Sequence, residues 1–460
     1  MKFVLLTHRY LPHFLGGVEV YTHRLAQALK RLGHSVTIIA FNPTHEPATE
    51  AIKTSQDEYD QMPVWRLTFT PAQRPWQTYI YAYDPEVGQV VKRILQDETP
   101  DLLVIMNFHY VTLASVEAAV ELGIPVVHIA TDFTPICRLS TFIRLDHKPC
   151  QEGESVKSCA ACYISDHLLG RVAAVALNKF SEEQIVQWAF QGVRNQRYLP
   201  VWKRLQPYWN QVAVTEQRLK LIAPLRHKID LVLAPTRYAM DMFLANGFRT
   251  DQMALLPFGV TEDSPLANIK RVSAPYTRFL FISRFQPYKG AHLLIEAFNR
   301  LRHPQGATLT LYGDADGHDE YVRQLNAAAA GNNRIFLRGR LPLTELPNAF
   351  AETDFFVLPA TWHENSPLIL LDAIESKTPV IASHVGGLTD FIQDGVNGLL
   401  FPMGNLPALQ NLMQQAIDQP NLADTLRPKT SLLRVDEYAQ TMIQLVQSKS
   451  HLPEVMKNTS

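Results

Sequence analysis

Two separated stretches of this chain carry residue types suited to a phosphorylated, hydroxyl-rich ligand. In the first, Ser283-Arg284-Phe285-Gln286-Pro287-Tyr288-Lys289-Gly290 follows an apolar strand pattern that runs from Phe279 to Ser283. Arg284 can clamp two anionic oxygens with its planar guanidinium, and Lys289 adds a point charge. Gly290 permits close backbone approach, and a helix from Ala291 aims its unpaired N–H groups at the same place. In the second stretch, Glu364 and Asp372 flank Asn365-Ser366-Pro367. Ser366 reads as a helix N-cap and Pro367 as the first helical residue, so Glu364 lies in a loop and Asp372 one to two turns into the helix. A loop carboxylate can take sugar hydroxyls, and a helix carboxylate can take both hydroxyls of a ribose. Diphosphate, ribose and sugar together describe a sugar nucleotide. Each stretch alone also fits plain surface cations or a solvated acidic helix face.

The elements that must position these residues alternate regularly. Phe3 to Thr7 is a short apolar run, a loop with Gly16 and Gly17 follows, and Val18, Tyr21, Leu25, Ala28, Leu29 and Leu32 recur at helical spacing. Gly33 is placed to end that helix in a left-handed conformation, before a strand from Val36 to Ala40. Strand–loop–helix–strand units imply a parallel sheet with right-handed crossovers. Leu102–Met106, Pro125–Ile129 and Leu231–Ala234 extend the first run of strands. Thr308–Tyr312, Ile335–Arg338, Phe355–Pro359, Val380–Ser383 and Leu399–Phe401 extend the second. The fold class is therefore α/β, with two doubly wound, Rossmann-like domains. Residues 1–262 form the first, 263–430 the second, and 431–460 a helix with a fraying tail. Between Asp132 and Asp230 no strand pattern appears, so about 133–228 reads as a helical insertion.

Length and composition agree. A chain of 460 residues exceeds one ordinary domain. A net charge of −1 argues against a nucleic-acid binder, which would carry a basic excess. The apolar run at the N-terminus is too short for a signal-peptide core, and no stretch is long and apolar enough to span a membrane. The expected location is cytoplasmic.

The motifs in order carry a family resemblance. Ser283–Gly290, Phe356-Val357-Leu358-Pro359, Trp362-His363-Glu364, Pro367, Pro379-Val380-Ile381-Ala382, Gly386-Gly387 and Asp394-Gly395-Val396-Asn397-Gly398 resemble the second domain of glycosyltransferase family four. The first domain is similar more loosely, through Gly16-Gly17-Val18-Glu19, Pro100-Asp101, Asn107-Phe108-His109 and Gly123-Ile124-Pro125. The resemblance implies the GT-B fold, two such domains facing across a cleft, and transfer of a sugar with retention and without a metal. It implies that Arg284 and Lys289 stabilise the diphosphate leaving group, that Glu364 contacts the donor sugar, and that Asp372 binds ribose. The backbone of Asn365, Ser366, Pro367 and Leu368 would lie near sugar and phosphate, that of Leu341 near the base, and Gly16 and Gly17 near the phosphates. Two positions depart from the family pattern. Asp372 replaces the usual Glu, and Thr131-Asp132 stands where the family often has His-Asp. Asp132 keeps a catalytic assignment; His109 or His128 is left to replace the histidine, although His128 fits a core position better. Asp314-Ala315-Asp316 mimics the DxD motif of metal-dependent transferases of another fold and reads here as a loop near the cleft.

All four cysteines, Cys137, Cys150, Cys159 and Cys162, fall in one short segment. Four thiolates including a C-x-x-C pair suit a structural zinc or iron–sulfur site; four unlinked thiols in a loop is the alternative. The stretch Tyr163–Lys228 holds ten Lys or Arg against four Asp or Glu, and Trp188, Trp202 and Trp209. That composition suits either an amphipathic helical subdomain or a helix pair resting on the inner face of an anionic membrane, as a lipid-linked acceptor would require. The expected partners are a nucleotide sugar and a glycan, lipid-linked or small-molecule acceptor. The competing function is a non-catalytic nucleotide-sugar binder or partner subunit.

Overall fold

The computed structural model describes residues 1–44, 51–71, 83–144, 150, 155–164, 179–194, 200–302, 306–315 and 317–449. The chain divides into two compact units, Met1–Pro257 together with Asp436–Ser460, and Phe258–Val435.

Unit one is built on strands β1 (Lys2–Thr7), β2 (Ser35–Pro43), β3 (Lys53–Tyr59), β4 (Met62–Phe69), β5 (Leu102–Ile105), β6 (Val126–Ile129), β7 (Leu231–Ala234) and β8 (Met253–Leu255). Their order is β3-β4-β2-β1-β5-β6-β7-β8. All neighbours are parallel except β3 and β4, which form an antiparallel hairpin. The central strands are buried on both faces, as the unbroken apolar runs require. Helices α1 (Gly17–Arg31), α2 (Pro85–Glu98), α3 (Ala114–Glu121) and α7 (Arg237–Ala245) alternate with the strands. Gly33 takes φ +84° after α1, the left-handed stop that the sequence places there.

Between β6 and β7 the described residues form no strand. They carry α4 (Val156–Ile164), α5 (Glu182–Arg194) and α6 (Pro200–Arg226). Trp209 is buried in a small apolar core with Val156, Ala160, Ile185, Ala189 and Val212, and Trp188 packs against it. Two of the three tryptophans therefore face the protein; the Trp202 side chain lies outside the described residues. Among the described residues no helix is long and apolar enough to cross a membrane.

Unit two contains β9 (Thr277–Ile282), β10 (Ala307–Tyr312), β11 (Ile335–Arg338), β12 (Phe355–Leu358), β13 (Val380–Ser383) and β14 (Gly398–Phe401), all parallel, in the order β11-β10-β9-β12-β13-β14. Helices α8 (Ala291–Asn299), α9 (Asp319–Ala329), α10 (Leu346–Ala351), α11 (Leu368–Glu375), α12 (Leu388–Phe391), α13 (Leu406–Asp418) and α14 (Leu422–Thr425) connect and cover them. The strand order reverses between β9 and β12. That is the switch point at which open parallel sheets bind ligands, beyond the strand C-termini. In unit one the equivalent reversal lies between β1 and β5.

The last described helix, α15 (Val435–Gln447), belongs to unit one from Asp436 onward. Tyr438, Met442 and Val446 are buried, and the Tyr438 ring meets Tyr21 of α1 edge-on at 5.6 Å. Arg31 of α1 grips Asp436 through Nε at 3.1 Å. The tail from Lys457 to Ser460 lies outside the described residues.

Candidate functional site

The loops after β9 and β12 meet at the switch point of unit two. Ser283 N–H donates to the Tyr312 carbonyl at 3.1 Å and Phe285 N–H to the Asp314 carbonyl at 2.8 Å, which ties the first loop to the end of β10. The loop then tightens into a single 3₁₀ turn over Pro287–Lys289 and ends at Gly290 with φ +79°. A Cβ on Gly290 would stand 1.9 Å from the Pro359 carbonyl oxygen, so the loop can pass the end of β12 only with glycine here. Thr361 N–H donates to the Tyr288 carbonyl at 2.8 Å and latches the second loop onto the first.

This latch brings Lys289 and Glu364 together. Lys289 Nζ lies 2.7 Å from Glu364 Oε1, and both side chains are largely buried. Burial pulls the Lys289 ammonium below its ordinary range; the Glu364 carboxylate counters that, and the nearby Arg284 guanidinium adds to the lowering. Arg284 itself is exposed. Two cations and one carboxylate thus converge beyond β9 and β12.

The Glu364 backbone is fixed from a third loop. Gly387 N–H donates to the Glu364 carbonyl at 2.7 Å, and a Cβ on Gly386 would meet the same oxygen at 2.3 Å. Asn365, Ser366 and Asp372 are buried. Helix α11 starts one residue later than the sequence suggests. Pro367 occupies the N-cap with φ −68° and ψ 125°, and no side chain caps the helix. Ser366 is therefore not the cap; Pro367 stands in the extended conformation that precedes the helix. The Ser366 hydroxyl oxygen is buried without a hydrogen-bond partner among the described residues. Asp372 lies in the second turn of α11. Leu341 follows β11 in a segment whose Gly339 carbonyl accepts from Gly313 N–H at 3.2 Å. Asp314 follows β10, and Asp316 lies outside the described residues.

Unit one shows a second cluster, in which His8 joins residues that the sequence singles out separately. His8 directly follows β1 and Asn107 follows β5, on the two sides of that sheet's reversal. The His8 backbone N–H donates to Asn107 Oδ1 at 3.1 Å, and His8 Nε2 lies 3.5 Å from Glu19 Oε1 of α1. The His109 ring meets His8 edge-on at 5.8 Å. Burial, helped by Arg9, pulls His109 down to about 4, so it is neutral at physiological pH. Thr131 Oγ1 donates to the Met106 carbonyl at 2.5 Å, which commits its hydroxyl to joining β6 to β5. Asp132 Oδ1 accepts from Thr134 N–H at 2.9 Å; burial outweighs that bond and pushes the carboxyl up to about 6. His128 is a core residue: its Nδ1 lies 3.0 Å from the Ile105 carbonyl and its ring packs on Phe108. Gly16 and Gly17 sit at the start of α1.

The four cysteines gather in the insertion. Cys159 and Cys162 lie one turn apart on α4, while Cys137 and Cys150 pack against the core of unit one. Cys159 is within electrostatic reach of the other three, and burial pushes its thiol up to about 12. Among the described residues, no three His, Cys, Asp or Glu side chains stand as a ready-made metal ligand set.

Two family profiles match the chain. The profile described as glycosyl transferases group 1 covers residues 268–431, which includes every site residue of unit two. The glycosyl transferase 4-like domain covers residues 16–202. The chain belongs to the group 1 glycosyltransferases. One relative in this family, the D-inositol 3-phosphate glycosyltransferase of Xylanimonas cellulosilytica, is 27% identical over 235 residues, 46% of this chain and 56% of that protein. Matches to the curated relatives span from about a third to just over half of those proteins' own length. Among solved structures, Anabaena HepE in complex with UDP and glucose aligns with a TM-score of 0.62 at 17% identity, covering 97% of this chain and 99% of that one. Sucrose-phosphate synthase from Thermosynechococcus elongatus aligns equally well, covering 97% and 98%. These likenesses establish the GT-B fold.

Replacing Lys289 with Met leaves the buried Glu364 carboxylate without its counter-charge. That change should destabilise unit two by about 3–5 kcal/mol, as removal of one partner from a buried ion pair does. Denaturant titration monitored near Trp362 checks it, and an unchanged midpoint would count against a tightly coupled pair.

Asp132 gives a pH signature. Its folded carboxyl holds a proton more tightly than the unfolded one, whose pKa is about 3.9. Its contribution to stability is thus full below about pH 4 and is lost as pH rises through about 6. Asp132→Asn keeps the acceptor for Thr134 but removes the titration. The variant's melting temperature relative to wild type should climb between pH 4 and pH 7, and a difference independent of pH would refute the shift.

Proposed function

We propose that this chain is a retaining glycosyltransferase that moves a sugar from a nucleotide-sugar donor to a glycan, lipid-linked or small-molecule acceptor. The observation that carries the reading is the pairing of Lys289 with buried Glu364, with Arg284 close to Lys289, at the switch point of unit two. A diphosphate leaving group needs fixed positive charge; buried Lys289 supplies it in a desolvated place and exposed Arg284 adds to it. Relatives in the family are named as transferases, and HepE was solved with UDP and glucose.

In this reading Arg284 and Lys289 neutralise the departing diphosphate while the acceptor attacks the same face of the sugar. Glu364 receives hydroxyls of the transferred sugar. The backbone of Asn365, Ser366, Pro367 and Leu368 lies near the sugar and phosphate. Asp372 takes the ribose, the backbone at Leu341 the base, and Gly16 and Gly17 leave room for the phosphates. Asp132 serves as the acceptor-side acid–base group. No cofactor is needed for this chemistry. The reaction is assigned to the cytoplasm, with contact at the inner membrane face where the acceptor is lipid-linked.

Incubation with UDP-, GDP- and ADP-sugars and an acceptor panel should release nucleoside diphosphate. A saturating donor, at about 100 times its dissociation constant, should add about 2.7 kcal/mol of stability. Glu364→Gln should abolish transfer, and Arg284→Ala should slow it by about 10²–10³-fold while weakening nucleoside diphosphate binding. Binding without turnover across the panel would instead identify a non-catalytic nucleotide-sugar binder.

We also propose that Cys137, Cys150, Cys159 and Cys162 hold a structural zinc ion or iron–sulfur cluster that pins α4 to unit one. The support is the gathering of all four thiols, including a pair on one helical turn. Metal analysis of the purified protein should find about one equivalent of zinc, or iron with sulfide. A metal-free, fully folded sample would overturn the assignment.

A further inference from the structure

Lys289 has three N–H donors and a full charge to offer a ligand. Its ammonium is flanked on one side by Glu364, which answers its charge. On another side stands an aromatic surface. The ammonium lies 4.5 Å from the centroid of the Trp362 ring and 5.9 Å from that of Tyr288. The two rings pack on each other at 5.0 Å and 53°. Tyr288 is pinned at its far end, where its hydroxyl donates to Gln286 Oε1. Trp362 is placed by its backbone and by the Tyr288 ring: Thr361 beside it is tied to the Tyr288 carbonyl, while the buried indole Nε1 has no hydrogen-bond partner among the described residues.

An aromatic face and a carboxylate stabilise an ammonium in different ways. A carboxylate neutralises it. A ring quadrupole attracts it and leaves the net charge in place. A second carboxylate beside Lys289 would cancel the positive charge that Arg284 and Lys289 leave over Glu364 and so weaken the hold on a diphosphate. An indole face lowers the cost of desolvating the cation yet keeps it available to an anion.

We propose that Trp362 is a positioning residue for donor binding, holding the Lys289 ammonium through its ring face so that the remaining N–H donors meet the nucleoside diphosphate. This rests on the donor-site reading given above. The role belongs to the face, over which the ammonium lies, since among the described residues the indole N–H has no partner.

Trp362→Phe keeps an aromatic face and Trp362→Leu keeps only apolar bulk. Binding of UDP, GDP and ADP is measured by calorimetry for wild type and both variants, with melting curves to confirm folding. For the nucleotide that wild type binds, Trp362→Phe should stay within roughly 3-fold of wild-type affinity, and Trp362→Leu should lose roughly 10-fold. In turnover the Leu variant should show its loss in KM more than in kcat. Loss of the ring also removes a stabiliser of the protonated amine, so the alkaline limit of nucleotide affinity should move to lower pH in Trp362→Leu and remain in place in Trp362→Phe. Wild-type affinity in Trp362→Leu would overturn the proposal. Equal damage in both variants would also overturn it, by moving the role to the indole N–H. Failure of wild type to bind any of the three nucleotides would sink the donor-site reading itself, and this proposal with it.

Discussion

A lysine and a glutamate buried within 2.7 Å of each other determine how the second unit must be built. Either charge alone would be costly there, since an unpaired buried ion takes about 3–5 kcal/mol, a large share of a fold's stability. The two residues sit 75 positions apart, so the pair exists only if the loops after β9 and β12 arrive together. The reversal of strand order puts those strands side by side. Gly290 lets one loop graze the Pro359 carbonyl, and Gly386 lets a third loop press on the Glu364 carbonyl. Substitution at either glycine would therefore act on the ion pair through the backbone, at a distance from any charge.

Much of this was legible in the sequence, because its signals are local. Ser283–Gly290 announces cations in a glycine-closed turn after an apolar strand. Glu364 precedes a proline-started helix. The insertion after β6 shows itself by the absence of strand patterns, and the described residues there are helical.

What stayed hidden is of three kinds. The β3–β4 hairpin was missed because Lys53 to Glu58 is exposed and polar throughout, with no alternation to read. Ser366 looked like a cap because residue type favours it, but Pro367 holds the extended conformation and takes that position. The cluster of His8, Glu19 and Asn107 and the stacking of Trp362 over Lys289 join residues far apart in the chain, and no local pattern encodes such meetings. The return of α15 to the first unit is of the same kind: its amphipathic pattern demands a partner without saying which.

That return has a consequence for how the chain comes into being. Unit two is, in effect, inserted between the bulk of unit one and its last described helix. Tyr21 and its neighbours on α1 are made early, whereas Tyr438, which covers them, emerges only after the whole of unit two. Chains fold from the N-terminus as they are synthesised, with domains closing as units. Here the first unit cannot close in that order. It must wait, with an apolar face on α1 uncovered, while the second is translated, so the domain begun first is the one completed last.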